Sequence, residues 1–197
     1  MGRAVEDELH RLEIVAIAMF ARQRQTVTAE ELEQDLAVLL PDAAVRPADA
    51  GMHGAVSDAH QVLGRFFFVH EAQARVDSGT ASVFEFLHAT FGEFLTARAV
   101  TAALEELVAD RRHAARRRFA APLDDGLFYA LTSFAALAGS AATVQFTEDL
   151  LARRFTESPN ARLDYRAPLA ELTREALDPP ATRTFRHYRP QPPPPPP

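Results

Sequence analysis

The side chains best suited to chemistry are seven histidines and a set of cations that is entirely arginine. The sequence carries 21 basic residues against 27 acids, for a net charge of −6. Lysine is absent, so no G-x-x-x-x-G-K-[ST] loop can place an ammonium on nucleotide phosphates. Cysteine is absent too, which removes disulfides and thiolate metal ligands. His10, His53, His60, His70, His113 and His187 show no H-E-x-x-H or comparable spacing that would aim two imidazoles at one metal. Gly139-Ser140 lacks the flanking glycine of a nucleophile elbow. These observations predict no catalytic residue, no metal site and no enzymatic activity.

His88 stands apart because it falls where a strand pattern gives way to a helical one. At such a junction an imidazole lies beside free amide hydrogens and the positive end of a helix dipole, where an anion is favoured. The plainer reading is a ring hydrogen-bonded at a helix start. Phe84, Phe86, Phe91 and Phe94 offer faces for stacked bases, but their spacing follows strand and helix periods and predicts core packing. The run from Arg111 to Arg118 suits a solvated helix end, or else phosphate or a partner's acids.

The elements that must position these residues are mostly helical. Leu12 to Ala21 is too short to span a membrane and follows Glu6, Asp7 and Glu8, so it reads as a buried helix and not as a signal segment. Its apolar residues cover two faces, as in a helix held between neighbours. Gln23 to Thr28 reads as a polar connector. Thr28-Ala-Glu-Glu31 has the spacing of a capping box, and Leu32, Leu36, Leu39 and Leu40 continue a second helix that Pro41 ends. Pro41 to Gly51 reads as a loop, and a third, weakly patterned helix is expected over Gly54 to Leu63.

Arg65 to Val69 and Val83 to Phe86 then predict a two-stranded hairpin about the turn Asp77-Ser78-Gly79-Thr80. From Leu87 a long amphipathic helix runs to the arginine cluster, where cations suit the negative end of the dipole. Helices are expected after Pro122-Leu123-Asp124-Asp125, from near Thr147, and over Pro168 to Leu177. The six closing prolines predict an extended, disordered tail that can dock on nothing without an aromatic groove.

Three helices and a two-stranded wing make a winged-helix pattern. The expected fold class is therefore mainly α: a winged-helix domain over 1–100 with its C-terminal helix, a helical extension over 101–180, and a disordered Pro-rich tail over 181–197. The acidic balance predicts no nucleic-acid partner, the shortness of the apolar segment predicts no membrane partner, and the lack of cysteine fits a cytoplasmic location.

The segment Phe84-Glu-Phe-Leu-His-Ala-Thr-Phe-Gly-Glu-Phe-Leu-Thr-Ala-Arg98 resembles the F-x-F-L-H-x-T-F-Q-E-F-L-A-A-R signature that closes the winged-helix domain of NACHT proteins of the STAND class, the NLR-like signalling NTPases. Leu12 to Leu40 resembles the preceding part of that domain, and Leu123 to Leu151 the helical region that follows it in actinobacterial members. The likeness spans roughly residues 1 to 155. It departs at Gly92, where the family has glutamine, and in the missing ATPase core. Leu36-Ala-Val-Leu-Leu-Pro-Asp42, the nearest look-alike of the family's metal-binding aspartate strand, has the leucine spacing of a helix end instead.

The resemblance implies a regulatory winged-helix and helical module of an innate-immunity or antiphage-defence switch. It implies that His88 contacts the β-phosphate of ADP and stabilises the inactive state, and that the partner is a NACHT ATPase core, in cis or in trans. ADP or ATP would be bound only with that core supplied, and homo-oligomers would form through the parent protein. The alternatives are a free-standing winged-helix DNA-binding regulator, disfavoured because Gly54 to Leu63 carries no arginine, and a truncated non-functional relic.

Overall fold

A computed structural model describes residues 2–40, 69–76, 79–118, 126–132, 137, 139–158, 160, 164–167 and 169–170. The loop expected over Pro41 to Gly51, the helix expected over Gly54 to Leu63, the aromatic run before Val69, most of the Pro168 to Leu177 helix and the Pro-rich tail lie outside these residues. The chain divides into two units, residues 1–96 and 97–197.

In the first unit, helix α1 (Gly2–Ala21) begins well before the expected Leu12. Every residue from Leu12 to Met19 is buried, Glu13 included, which agrees with a helix held on more than one side. The buried Glu13 carboxylate has the His10 imidazole 3.4 Å away. The helix ends in a Schellman turn. Gln23 takes the left-handed backbone, φ 54°, its N–H donates to the Phe20 carbonyl at 3.0 Å, and the Arg24 N–H donates to Met19 at 3.0 Å. Glutamine is an uncommon choice there, and its own side-chain amide offsets part of the strain by donating to the Phe20 carbonyl at 2.7 Å.

That turn delivers two arginines to helix α2 (Ala29–Leu39). The Arg22 guanidinium grips Asp35 with two bonds, at 2.6 and 3.0 Å, and also donates to the Ala18 carbonyl at 2.9 Å. Asp35 is 0% exposed, and this fork meets its carboxylate at both oxygens. Arg24 pairs with Glu31. Glu31 in turn closes the capping box: its carboxylate accepts from the Thr28 amide at 3.0 Å, and its own amide donates to the Thr28 hydroxyl at 3.2 Å. The helix stops at Leu39, with Leu40 as C-cap, as the following proline requires.

Thr28 has a second role that its neighbours' polarity concealed. Thr26–Thr28 is a strand, β1, and not a connector. It pairs antiparallel with β3 (Gly79–Phe86), which pairs on its other side with β2 (Val69–Val76). The sheet therefore has three strands in the order β1-β3-β2, where two had been expected. Strand β2 as described begins at Val69, the last residue of the Arg65 to Val69 run, whose other residues lie outside those described. The register places Val27 opposite Phe84, and both point into a core made with Ile14, Val15, Ala18, Met19, Leu32 and Leu36. Each large side chain so buried contributes about 1.5–3 kcal/mol. On the opposite face Thr26, Glu85 and His70 line up, with His70 Nδ1 3.9 Å from Glu85.

Helix α3 (Ala89–Ala115) follows two residues after β3. Leu95, near its start, joins Leu12 and Ala16 in a smaller core patch, and Phe86 and Val69 touch both patches.

The second unit holds the rest of α3 with α4 (Gly126–Thr132) and α5 (Ala141–Glu157). Helix α5 starts six residues before the expected Thr147, which is no cap. The Thr147 hydroxyl donates to the Thr143 carbonyl one turn back, at 2.8 Å. A turn at residues 164–167 is tied to both long helices. The Tyr165 hydroxyl donates to Glu105 at 3.0 Å, its ring stands edge-on to Phe155, and Asp164 pairs with Arg112. Glu105 also accepts from Arg154 at 3.0 Å. Burial raises the Tyr165 pKa, and the Arg154 bond opposes that shift. Among the described residues the chain is thus mainly helical, with one small antiparallel sheet.

Replacing Arg22 by methionine takes the two-point cation away from the buried Asp35 carboxylate, so unfolding in urea should show a loss of about 3–5 kcal/mol. Pairing it with Asp35→Leu should recover most of that; a single-variant loss below about 1 kcal/mol would mean the pair behaves as an exposed one. Burial pushes the Glu31 carboxyl up, but the Thr28 amide and the Arg24 and Arg22 guanidiniums outweigh it and hold it below its ordinary value of 4.5. A depressed carboxylate stabilises the fold above its unfolded value and ceases to do so as pH falls through the folded one. The stability advantage of wild type over Glu31→Gln should therefore be full near neutral pH and shrink below pH 4.5.

Candidate functional site

The site is the corner between β3 and α3, residues Phe86 to Phe94. Its strand is held in the middle of the sheet, and its helix is anchored by the buried Leu95 and Thr96. Leu87 and His88 form the bend between them, and the Phe91 amide donates to the His88 carbonyl at 3.0 Å to open the helix.

His88 lies exposed at this corner. Among the described residues no hydrogen bond or ion pair reaches its imidazole. Its nearest ring neighbour is Phe91, with centroids 6.4 Å apart and planes tilted by 57°. The first turn of α3 carries no acid, so nothing there opposes an anion at the positive end of the dipole. A neutral ring can accept or donate one hydrogen bond at such a place, and a protonated ring donates two.

The four phenylalanines divide. Phe84 is 1% exposed and Phe86 is half-buried against the core, as their strand spacing predicts. Phe91 and Phe94 instead are 40% and 38% exposed, which corrects the expectation that all four are core. With Leu87 at 55%, they make an exposed apolar stripe at i, i+4 and i+7 beside the imidazole. Sequence reasoning missed this because a helix facing a core and a helix facing a partner have the same period.

Glycine inside a helix ordinarily weakens it, by about 1 kcal/mol relative to alanine. The structure shows the use of Gly92: a Cβ there would stand 3.1 Å from Cδ2 and 3.4 Å from Cε2 of Phe86. The missing side chain leaves a notch for the ring of Phe86, which closes the corner. Of the other residues considered, Arg116, Arg117 and Arg118 are exposed at the end of α3, and Ser140 precedes α5 with its hydroxyl 2.7 Å from Thr143. Asp42 lies outside the described residues. Among the described residues no group of acids and histidines is placed to hold a metal, and no helix is long and apolar enough to cross a membrane.

Comparison of the chain with models of known families, with curated proteins and with solved structures gave no match. Gly92→Ala should gain less stability than the roughly 1 kcal/mol that alanine normally brings to a helix interior. In a Phe86→Leu background the gain should return in full. Equal gains in both backgrounds would show that the ring does not use the notch.

Proposed function

We propose that this chain is the regulatory winged-helix and helical module of a NACHT-type STAND signalling NTPase, part of a defence switch. In this reading α1, α2 and the β-ribbon belong to the winged helix, and the helices after it form its extension. The chain has no lysine for a phosphate-binding loop, so nucleotide is held by an ATPase core in cis or in trans.

One observation carries the proposal. At the β3 to α3 corner an exposed imidazole has no hydrogen bond among the described residues and stands next to the exposed stripe of Leu87, Phe91 and Phe94. An apolar stripe of this kind fits a surface that another domain covers. A ring beside it, at a helix start, fits a contact to that domain's anionic ligand. His88 then donates to the β-phosphate of ADP and stabilises the closed arrangement. Exchange for ATP alters the differential contacts and shifts the balance toward the open one.

The test is ADP binding by calorimetry to the ATPase core, alone and with this chain added. The chain should tighten ADP binding about tenfold, equivalent to roughly 1.4 kcal/mol from one charge-assisted hydrogen bond. His88→Ala should abolish the gain while changing the stability of the chain by less than about 0.5 kcal/mol, because the ring is exposed. An unchanged ADP affinity with the wild-type chain rejects the proposal.

A further inference from the structure

We propose that the arginine turn ending α3 is a docking surface for a short acidic segment of a partner protein. Charge is distributed unevenly along the chain: residues 1–96 carry seven arginines against fifteen acids, and residues 97–197 carry fourteen against twelve. Five of those fourteen fall between Arg111 and Arg118, with no acid among them.

The backbone there is held in place. The Arg116 amide donates to His113 at 3.2 Å, the Arg117 amide donates to Ala114 at 3.0 Å, and His113 Nδ1 lies 2.8 Å from the Ala109 carbonyl. Three consecutive exposed arginines leave this turn; Arg118 already has an interaction of its own, and Arg116 and Arg117 have no ion-pair partner among the described residues. Like charges this close repel one another, and an incoming row of carboxylates relieves that repulsion.

The same helix end already takes one carboxylate. Arg112, one turn earlier, pairs with Asp164, which lies 52 positions further along the chain. Arginine also meets carboxylate at Arg22–Asp35, Arg24–Glu31 and Arg154–Glu105, and of these Arg22–Asp35 is the pair held at both carboxylate oxygens. A planar guanidinium matches a carboxylate in two-point contact, which a lysine could not do.

Size separates the acidic peptide from other polyanions. Duplex nucleic acid and anionic bilayers extend their charge far beyond one helical turn, and would meet a chain of net charge −6. A few consecutive acidic residues match the arginine turn and go no further.

The experiment uses the full chain and a labelled oligoglutamate peptide, read by fluorescence anisotropy at low ionic strength. Binding should weaken as salt rises and fall about tenfold in the Arg116→Ala, Arg117→Ala, Arg118→Ala triple variant, with most of that loss already present in the Arg116→Ala, Arg117→Ala double variant. Circular dichroism should show the variant still folded, and Arg153→Ala, another exposed arginine, should bind like wild type. The proposal is overturned if the peptide does not bind or if the triple variant binds it equally well. It is overturned as well if duplex DNA, phosphatidylserine vesicles or a second copy of the chain takes the arginine-dependent binding instead of the peptide.

Discussion

The ion pair between Arg22 and Asp35 sets the angle between the first two helices, and the sheet and the site take their positions from it. A carboxylate with no exposure tolerates no loose partner, and the two-point grip of the guanidinium fixes both distance and orientation. Arg22 can reach Asp35 only because the chain leaves α1 through a left-handed turn at Gln23. The same turn sends Arg24 to Glu31, and Glu31 is bound to the strand residue Thr28 by the capping box. Helix end, strand and helix start are thereby joined by a few charged groups over a short stretch of chain.

Strand β1 is only three residues long, yet it links this joint to the corner between β3 and α3. Val27 and Phe84 face each other across the β1–β3 pairing and share one core, so the position of β3 follows from that of α2. Strand β3 then hands over to α3 within two residues, and the ring of Phe86 seated over Gly92 sets the sharpness of that bend. Leu87, Phe91 and Phe94 are exposed beside this well-buried framework.

In the second unit polar contacts again decide the geometry. Glu105 accepts from both Arg154 and Tyr165, and Asp164 meets Arg112, so a turn far along the chain is brought back onto α3. Arginine serves throughout as the residue that fixes one element to another. At the end of α3 it stands exposed in consecutive positions, Arg116 to Arg118.

By itself the sequence determined the features that depend on neighbours along the chain. The capping box at Thr28 and Glu31, the helix end before Pro41, the strand pattern of Val83 to Phe86 and the cationic end of α3 are local signals with local causes, and each was legible. Only tertiary structure decided the rest. Thr26–Thr28 is too short to show a period, and it became a strand because β3 offered it hydrogen bonds. The lone Arg22 and Asp35 carry no pattern that marks them as partners, since thirteen positions and a turn separate them. Phe91 and Phe94 sit at spacings that suit a core as well as a surface, and nothing next to Gly92 in the sequence shows that the ring of Phe86 lies over it. A sequence records which side chains share a face, but what covers that face depends on residues distant along the chain, which only folding brings together.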